Sequence, residues 1–240
     1  MESLQGTSIY LVGMMGTGKS TIGKMMSQAL GYCFFDTDIL IEQLAGKSVA
    51  DIFDQDGESD FRTLETEVLQ ELAPFARCVV ATGGGTPCRS QNWGHMQAGI
   101  SVWLNGEPEM LAARVVKDSK NDRPLVAVDD AESKSDEEIL AATVEKLRNL
   151  LEKRREQYGY ADITVSLEQV GEQEASPAVI VQRILAAIND RIRRDSRERE
   201  ERKKFEIVDD QLPESMRVVE NINDITSQKQ QGGGPDPYLP

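Results

Sequence analysis

Gly13-Met14-Met15-Gly16-Thr17-Gly18-Lys19-Ser20 is the stretch whose reading decides the fold. It is entered by Ile9-Tyr10-Leu11-Val12, an apolar run of strand character, and left by Ile22, Met25, Met26 and Ala29, spaced as one face of a helix. A strand, the pattern G-x-x-x-x-G-K-[ST] and then a helix is the context in which that pattern holds phosphates. Glycines let the backbone curl until successive N–H groups point inward at phosphate oxygens, and the helix N-terminus adds positive partial charge. Lys19 is suited to reach the β- and γ-phosphates and the Ser20 hydroxyl to sit on Mg²⁺, with Thr21 following in the same cradle. Composition alone produces such a match in about 1% of chains of this length, and the flanking strand and helix make chance rarer still.

Outward from the loop, short β-branched runs alternate with helical stretches, as a parallel α/β sheet requires. Strands are expected at 8–12, 33–35, 78–82, 100–104 and 163–166, with helices at 19–30, 37–45, 58–72, 108–116, 135–158 and from 177 onward. Asp36-Thr37-Asp38 follows the second strand, so both carboxylates emerge at the sheet edge where ligands collect; a helix cap with a spare acid has the same appearance. Arg62 and Glu65 stand three apart on a helix, where the acid can orient the guanidinium or simply form a surface pair. Gly83-Gly84-Gly85 directly follows a strand, permitting close backbone approach to a ligand and dihedrals closed to other residues. Arg123-Pro124-Leu125 lies in a polar connection, 117–130, able to fold over phosphates as a lid.

Composition narrows the function further. The 240 residues allow one or two domains, and 27 basic against 41 acidic residues leave a net charge of −14. Nucleic acid and anionic membranes both need a basic face, so neither is an expected partner, whereas a few local cations can still hold ATP. Apolar runs are too short for a membrane-spanning helix. Cys33, Cys78 and Cys88 lack metal-ligand spacing and are expected as buried, reduced thiols. His95 is the one histidine, which disfavours a protease-type triad and rules out a multi-histidine metal site. No leader is legible before the first strand, so the expectation is a soluble protein of the plastid stroma with its leader removed, or of the cytoplasm. Residues 1–189 read as the folded domain, 190–204 as a charged helical extension and 205–240 as a largely disordered acidic tail. The chain names no protein partner and is compatible with a monomer.

Taken together, GMMGTGKST, DTD, DFR with its following Glu, ATGGG and RPL, in this order and spacing, resemble shikimate kinase over about residues 7–188, with a flavour similar to the plant and cyanobacterial branch. The resemblance implies a P-loop NTPase of the nucleoside-monophosphate-kinase type: a five-stranded parallel sheet flanked by helices, with a mobile lid. It implies transfer of the γ-phosphoryl group of ATP to the 3-hydroxyl of shikimate, with Mg²⁺ as cofactor. By the family's pattern Gly13, Gly16, Thr17, Gly18, Lys19, Ser20 and Thr21 hold the nucleotide, and Arg114 stacks on adenine. Asp38 holds the acceptor hydroxyls and acts as base, while Asp36 and Ser20 organise the metal. Arg62 and Arg154 grip the substrate carboxylate, and Gly84 contacts the ring hydroxyls by its backbone, with Gly83 and Gly85 beside it among the substrate-binding residues. Arg154 is chosen from its R-x-x-x-Y spacing to Tyr158, with Arg155 as the neighbour that competes for the role, and Arg123 is the lid arginine. Ala175 stands where the family often has a polar or basic residue beside adenine. The alternatives are another small-molecule or nucleotide kinase on the same scaffold, and a catalytically silent relative that binds and regulates.

Overall fold

The computed structural model describes residue 4 and residues 6–117, 135–168 and 175–204. Arg123, nearly all of the expected lid and the 205–240 tail lie outside the described residues. Five parallel strands run in the order β2-β3-β1-β4-β5: β1 (Ile9–Val12), β2 (Cys33–Asp36), β3 (Cys78–Ala81), β4 (Ile100–Asn105) and β5 (Ile163–Ser166). The helices are α1 (Lys19–Leu30), α2 (Thr37–Ala45), α3 (Val49–Gln55), α4 (Glu58–Leu72), α5 (Ser90–Met96), α6 (Pro108–Lys117), α7 (Asp136–Tyr158) and α8 (Pro177–Lys204).

β1 is the central strand, and all four of its residues are at most 1% exposed. A strand covered on both faces is a continuous apolar run rather than an alternating one, which is why Ile9-Tyr10-Leu11-Val12 reads as it does. Its register sets Leu11 opposite Ala81 on one side and Val12 opposite Trp103 on the other. The phosphate loop therefore leaves the middle of the sheet at its C-terminal edge, where strand order reverses and α/β sheets hold their ligands. β2 likewise ends at that edge, on Asp36, which caps α2 by accepting from the Asp38 amide at 3.2 Å.

Three helices fix the walls. α1 packs closely enough on β2 that a Cβ on Gly23 would stand 2.5 Å from the Phe34 ring. α4 buries Phe61, Glu65, Val68, Leu69 and Leu72 along one stripe. α7 opens with a capping box between Ser135 and Glu138 and buries Thr143, Leu147, Leu151, Arg154 and Tyr158 at steps of three and four residues. An Arg191–Asp162 ion pair at 2.8 Å ties α8 to the start of β5, while Asp162 also accepts from the Ser101 amide and hydroxyl.

Several expectations shift. Two short helices, α3 and α5, and a single 3-10 turn at Thr86–Cys88 appear where no element was expected. Cys33 and Cys88 are exposed and only Cys78 is buried, because β2 is an edge strand and Cys88 lies in a surface turn. The chain divides into two compact units, residues 1–193 and 194–240; of the second, 194–204 are described and are helical. No helix among the described residues is long and apolar enough to cross a membrane.

Candidate active site

The phosphate loop has its shape because three glycines take left-handed or related backbone angles: Gly13 at φ 145°, Gly16 at 80° and Gly18 at 79°. Gly13 and Gly16 are needed twice over, since a Cβ on either would run into the backbone carbonyl of Leu104 or Leu111, at 2.6 and 2.9 Å. Thr17 tightens the loop by donating to the Met14 carbonyl at 2.7 Å. Lys19 curls back over it, its ammonium donating to the carbonyls of Gly13 at 2.8 Å and Met14 at 2.9 Å. The cation thus stands at the mouth of the cradle rather than out in solvent.

A cavity of about 520 Å³ opens from this loop. Gly16, Thr17, Gly18, Lys19, Ser20 and Thr21 line one side, and Asp36 and Asp38 line it as well. Arg114 borders it and donates to the Gly16 carbonyl at 3.3 Å. Val115, Leu167, Ala175 and Ile180 give it an apolar slot of the kind that receives a flat base. Ser20 donates to Asp36 at 2.5 Å. That pairs two oxygen donors beside the loop, a set that suits Mg²⁺, which takes one or two protein oxygens and completes its shell with phosphate and water. No cluster of three or more acidic, histidine or cysteine side chains that could hold a metal occurs among the described residues.

Next to Asp38, α4, the glycine run and α7 bring together a second group of polar side chains, an arginine cluster around Gly84 and Gly85. Arg62 donates to Glu65 at 2.7 Å and to Glu58 at 2.8 and 3.2 Å. Burial works against the guanidinium's charge, but Glu65 and Glu58 outweigh it and hold its pKa above the ordinary value. The Phe61 ring lies beneath it at 5.4 Å. Glu65 is fully buried, and its other oxygen accepts from the Thr86 hydroxyl at 2.6 Å. Arg154, 7% exposed, donates to the Gly84 carbonyl at 3.1 Å, whereas Arg155 faces solvent. That separates the two arginines that the sequence left in competition.

Gly83 and Gly85 are explained by room rather than by angle: none of Gly83, Gly84 and Gly85 has a positive φ, contrary to the expectation of special dihedrals. A Cβ on Gly83 would overlap Glu65 and stand 2.8 Å from the Asp38 carboxylate, and one on Gly85 would overlap the Arg62 guanidinium. The Cβ direction of Gly84 faces the Gly13 carbonyl at 3.6 Å, the Met15 amide at 3.7 Å and Arg154 at 3.8 Å. Gly84 therefore sits between the phosphate cradle and Arg154 of the arginine cluster. The Gly83 amide donates to Thr37 at 2.9 Å, while the amides of Gly84 and Gly85 have no acceptor among the described residues.

Apart from Arg123 and the solvent-facing Arg155, the nucleotide, metal and substrate residues singled out from the sequence fall in or beside this cavity and the arginine cluster. Sequence reasoning passed over Thr37, Thr86 and the Tyr158 hydroxyl, whose contacts span distant segments. It also passed over Glu58, which its spacing of four residues from Arg62 could have revealed.

The family model described as "Shikimate kinase" matches residues 15–189. The chain is 44% identical over 181 residues to a protein of Synechococcus sp. (strain RCC307) named shikimate kinase, covering 75% of this chain and 86% of that one. It is 46% identical over 170 residues to the chloroplastic shikimate kinase of Solanum lycopersicum, covering 70% of this chain and 55% of the relative. Among solved structures it is similar to shikimate kinase from Acinetobacter baumannii in complex with shikimate, with 34% identity and a TM-score of 0.66 over 79% of this chain and 96% of that one.

Proposed function

The chain belongs to the shikimate kinase family, and from that premise we propose how the cavity and the arginine cluster beside it pass a phosphoryl group from ATP to shikimate. It is a small-molecule kinase that uses ATP and acts on shikimate. One observation carries the mechanism: Lys19 and Asp38 line the same cavity, so a donor phosphate and an acceptor hydroxyl can meet without crossing protein.

ATP lies with its triphosphate in the curl of Gly13 to Thr21 and its base in the slot beside Arg114 and Ala175. Lys19 exchanges its loop carbonyls for the β- and γ-phosphate oxygens as charge gathers there. Shikimate sits against the arginine cluster, where Arg62 and Arg154 take its carboxylate, since a planar guanidinium pairs bidentately with that group. The amides of Gly84 and Gly85, which lack partners of their own among the described residues, meet ring hydroxyls. Asp38 accepts the proton of the 3-hydroxyl, or orients it, as that oxygen forms its bond to the γ-phosphorus. The bond from phosphorus to the bridging oxygen breaks, and ADP leaves with its electron pair. Ser20 and Asp36 are the residues that would hold Mg²⁺, which when bound would supply positive charge to the triphosphate. Arg123 is the lid arginine of this reading.

A silent regulatory relative would be expected to lack phosphate-holding or acceptor groups, yet Lys19, Ser20, Asp36, Asp38 and Arg62 are all present. The deciding experiment is ADP release from ATP with shikimate as acceptor, with gluconate and nucleoside monophosphates run beside it. Release that depends on shikimate alone is the expected result; release that depends on one of the others, or on none, refutes the reading.

A further inference from the structure

The glycine run is held in place by a group that the mechanism above does not use. Tyr158 closes α7, is fully buried, and its hydroxyl lies 2.5 Å from the Gly84 carbonyl, to which it donates. The Met14 sulfur of the phosphate loop is 3.4 Å from the same oxygen. Arg154 supplies a second donor to Gly84, so both lone pairs of that carbonyl are taken. Burial pushes the phenol up to about 12, which keeps its proton in place across the working range of any kinase.

The ring has little freedom of its own. It stacks on Trp103 at 5.7 Å with 23° between the planes, and Trp103 is paired in register with Val12, the residue from which the phosphate loop departs. The hydroxyl is thereby referenced to the sheet itself. Because the peptide is trans and planar, fixing the Gly84 carbonyl toward α7 turns the Gly85 N–H the opposite way. A run of three glycines would otherwise be the most mobile segment of the site.

We propose that Tyr158 is a positioning residue for the acceptor: its hydroxyl pins the Gly84 carbonyl and so sets the Gly85 amide of the same peptide against shikimate. The proposal rests on the kinase reading above. Tyr158→Phe keeps the ring and its stack and removes only the donor. The expected result is a shikimate KM raised about tenfold, the effect of one well-placed buried hydrogen bond, with the ATP KM within about twofold of wild type. Replacement of Tyr158 by para-aminophenylalanine, which retains a donor at the same place, is expected to return the shikimate KM to within about threefold of wild type.

An unchanged shikimate KM in Tyr158→Phe overturns the proposal, as does an equal rise in both KM values or an amino variant as impaired as the Phe variant. A Phe variant too unstable to assay also overturns it, because the hydroxyl would then be holding the fold and not the loop. Wild-type protein that releases no ADP with shikimate refutes the kinase reading instead, so the two failures are distinct.

Discussion

Arg62 shows how a single side chain can be both prepared and occupied. Its fork is shared between Glu65, which is fully buried, and Glu58, whose side chain is 55% exposed. The buried partner holds the guanidinium in orientation. The exposed one occupies donors that an incoming carboxylate would need on the proposed mechanism, yet such a solvent-facing pair contributes only about 0.5 kcal/mol. Glu58→Ala is therefore expected to lower the shikimate KM about twofold with kcat unchanged; steady-state kinetics at low salt checks it, and a raised KM would make Glu58 a support rather than a competitor. Asp38 stands differently, beside the glycine run and inside the phosphate cavity. Asp38→Asn should reduce kcat about 10²–10⁴-fold while calorimetry still records ADP binding. Near-normal turnover in that variant would remove Asp38 from the chemistry.

The elements that carry these residues depend on close approaches. α1 lies so near β2 that Gly23 has no room for a methyl group beside Phe34. Gly23→Ala gains about 1 kcal/mol of helix propensity but incurs about 1–3 kcal/mol of overpacking. A Tm lower by about 2–4 °C is expected, measured by thermal denaturation. The cradle, α1, α2 and α4 were legible in the sequence because their signals are local: a spaced loop pattern, apolar periodicity and a capping acid. Arg62–Glu65 was legible for the same reason, as a pair three residues apart. Thr86 on Glu65, Thr37 on the Gly83 amide and Tyr158 on Gly84 were not, because each joins positions 21 to 74 residues apart. No local pattern encodes that distance. α3 and α5, at 7 residues each, were too short for periodicity to emerge. The glycine run was recognised, but for the wrong half of its reason: none of its glycines has a positive φ, and the crowding that demands glycine at Gly83 and Gly85 comes from α2 and α4.

At the scale of the whole molecule, buried phenols couple the fold to alkaline pH. Tyr158 loses its proton near 10 in the unfolded chain and only at about 12 in the folded one, chiefly through burial; Tyr10 shifts in the same direction for the same reason. The native state thus binds more protons than the unfolded state between those values. The contribution is fully present below about pH 10 and is lost at about 1.4 kcal/mol per unit as pH rises toward 12. Urea denaturation at about pH 9 and about pH 11 should show a steeper loss for wild type than for Tyr158→Phe; parallel losses would mean that the phenol ionises no later in the native state than in the unfolded one. The glycine run has a last consequence for the enzyme as a substrate for redesign. Between the phosphate loop and Arg154 the glycine run is one main chain thick, and at Gly83 and Gly85 neighbouring side chains already fill the space where any larger residue would begin. Such a wall offers nothing to vary, so an altered taste in acceptors has to be sought on the helices that face it.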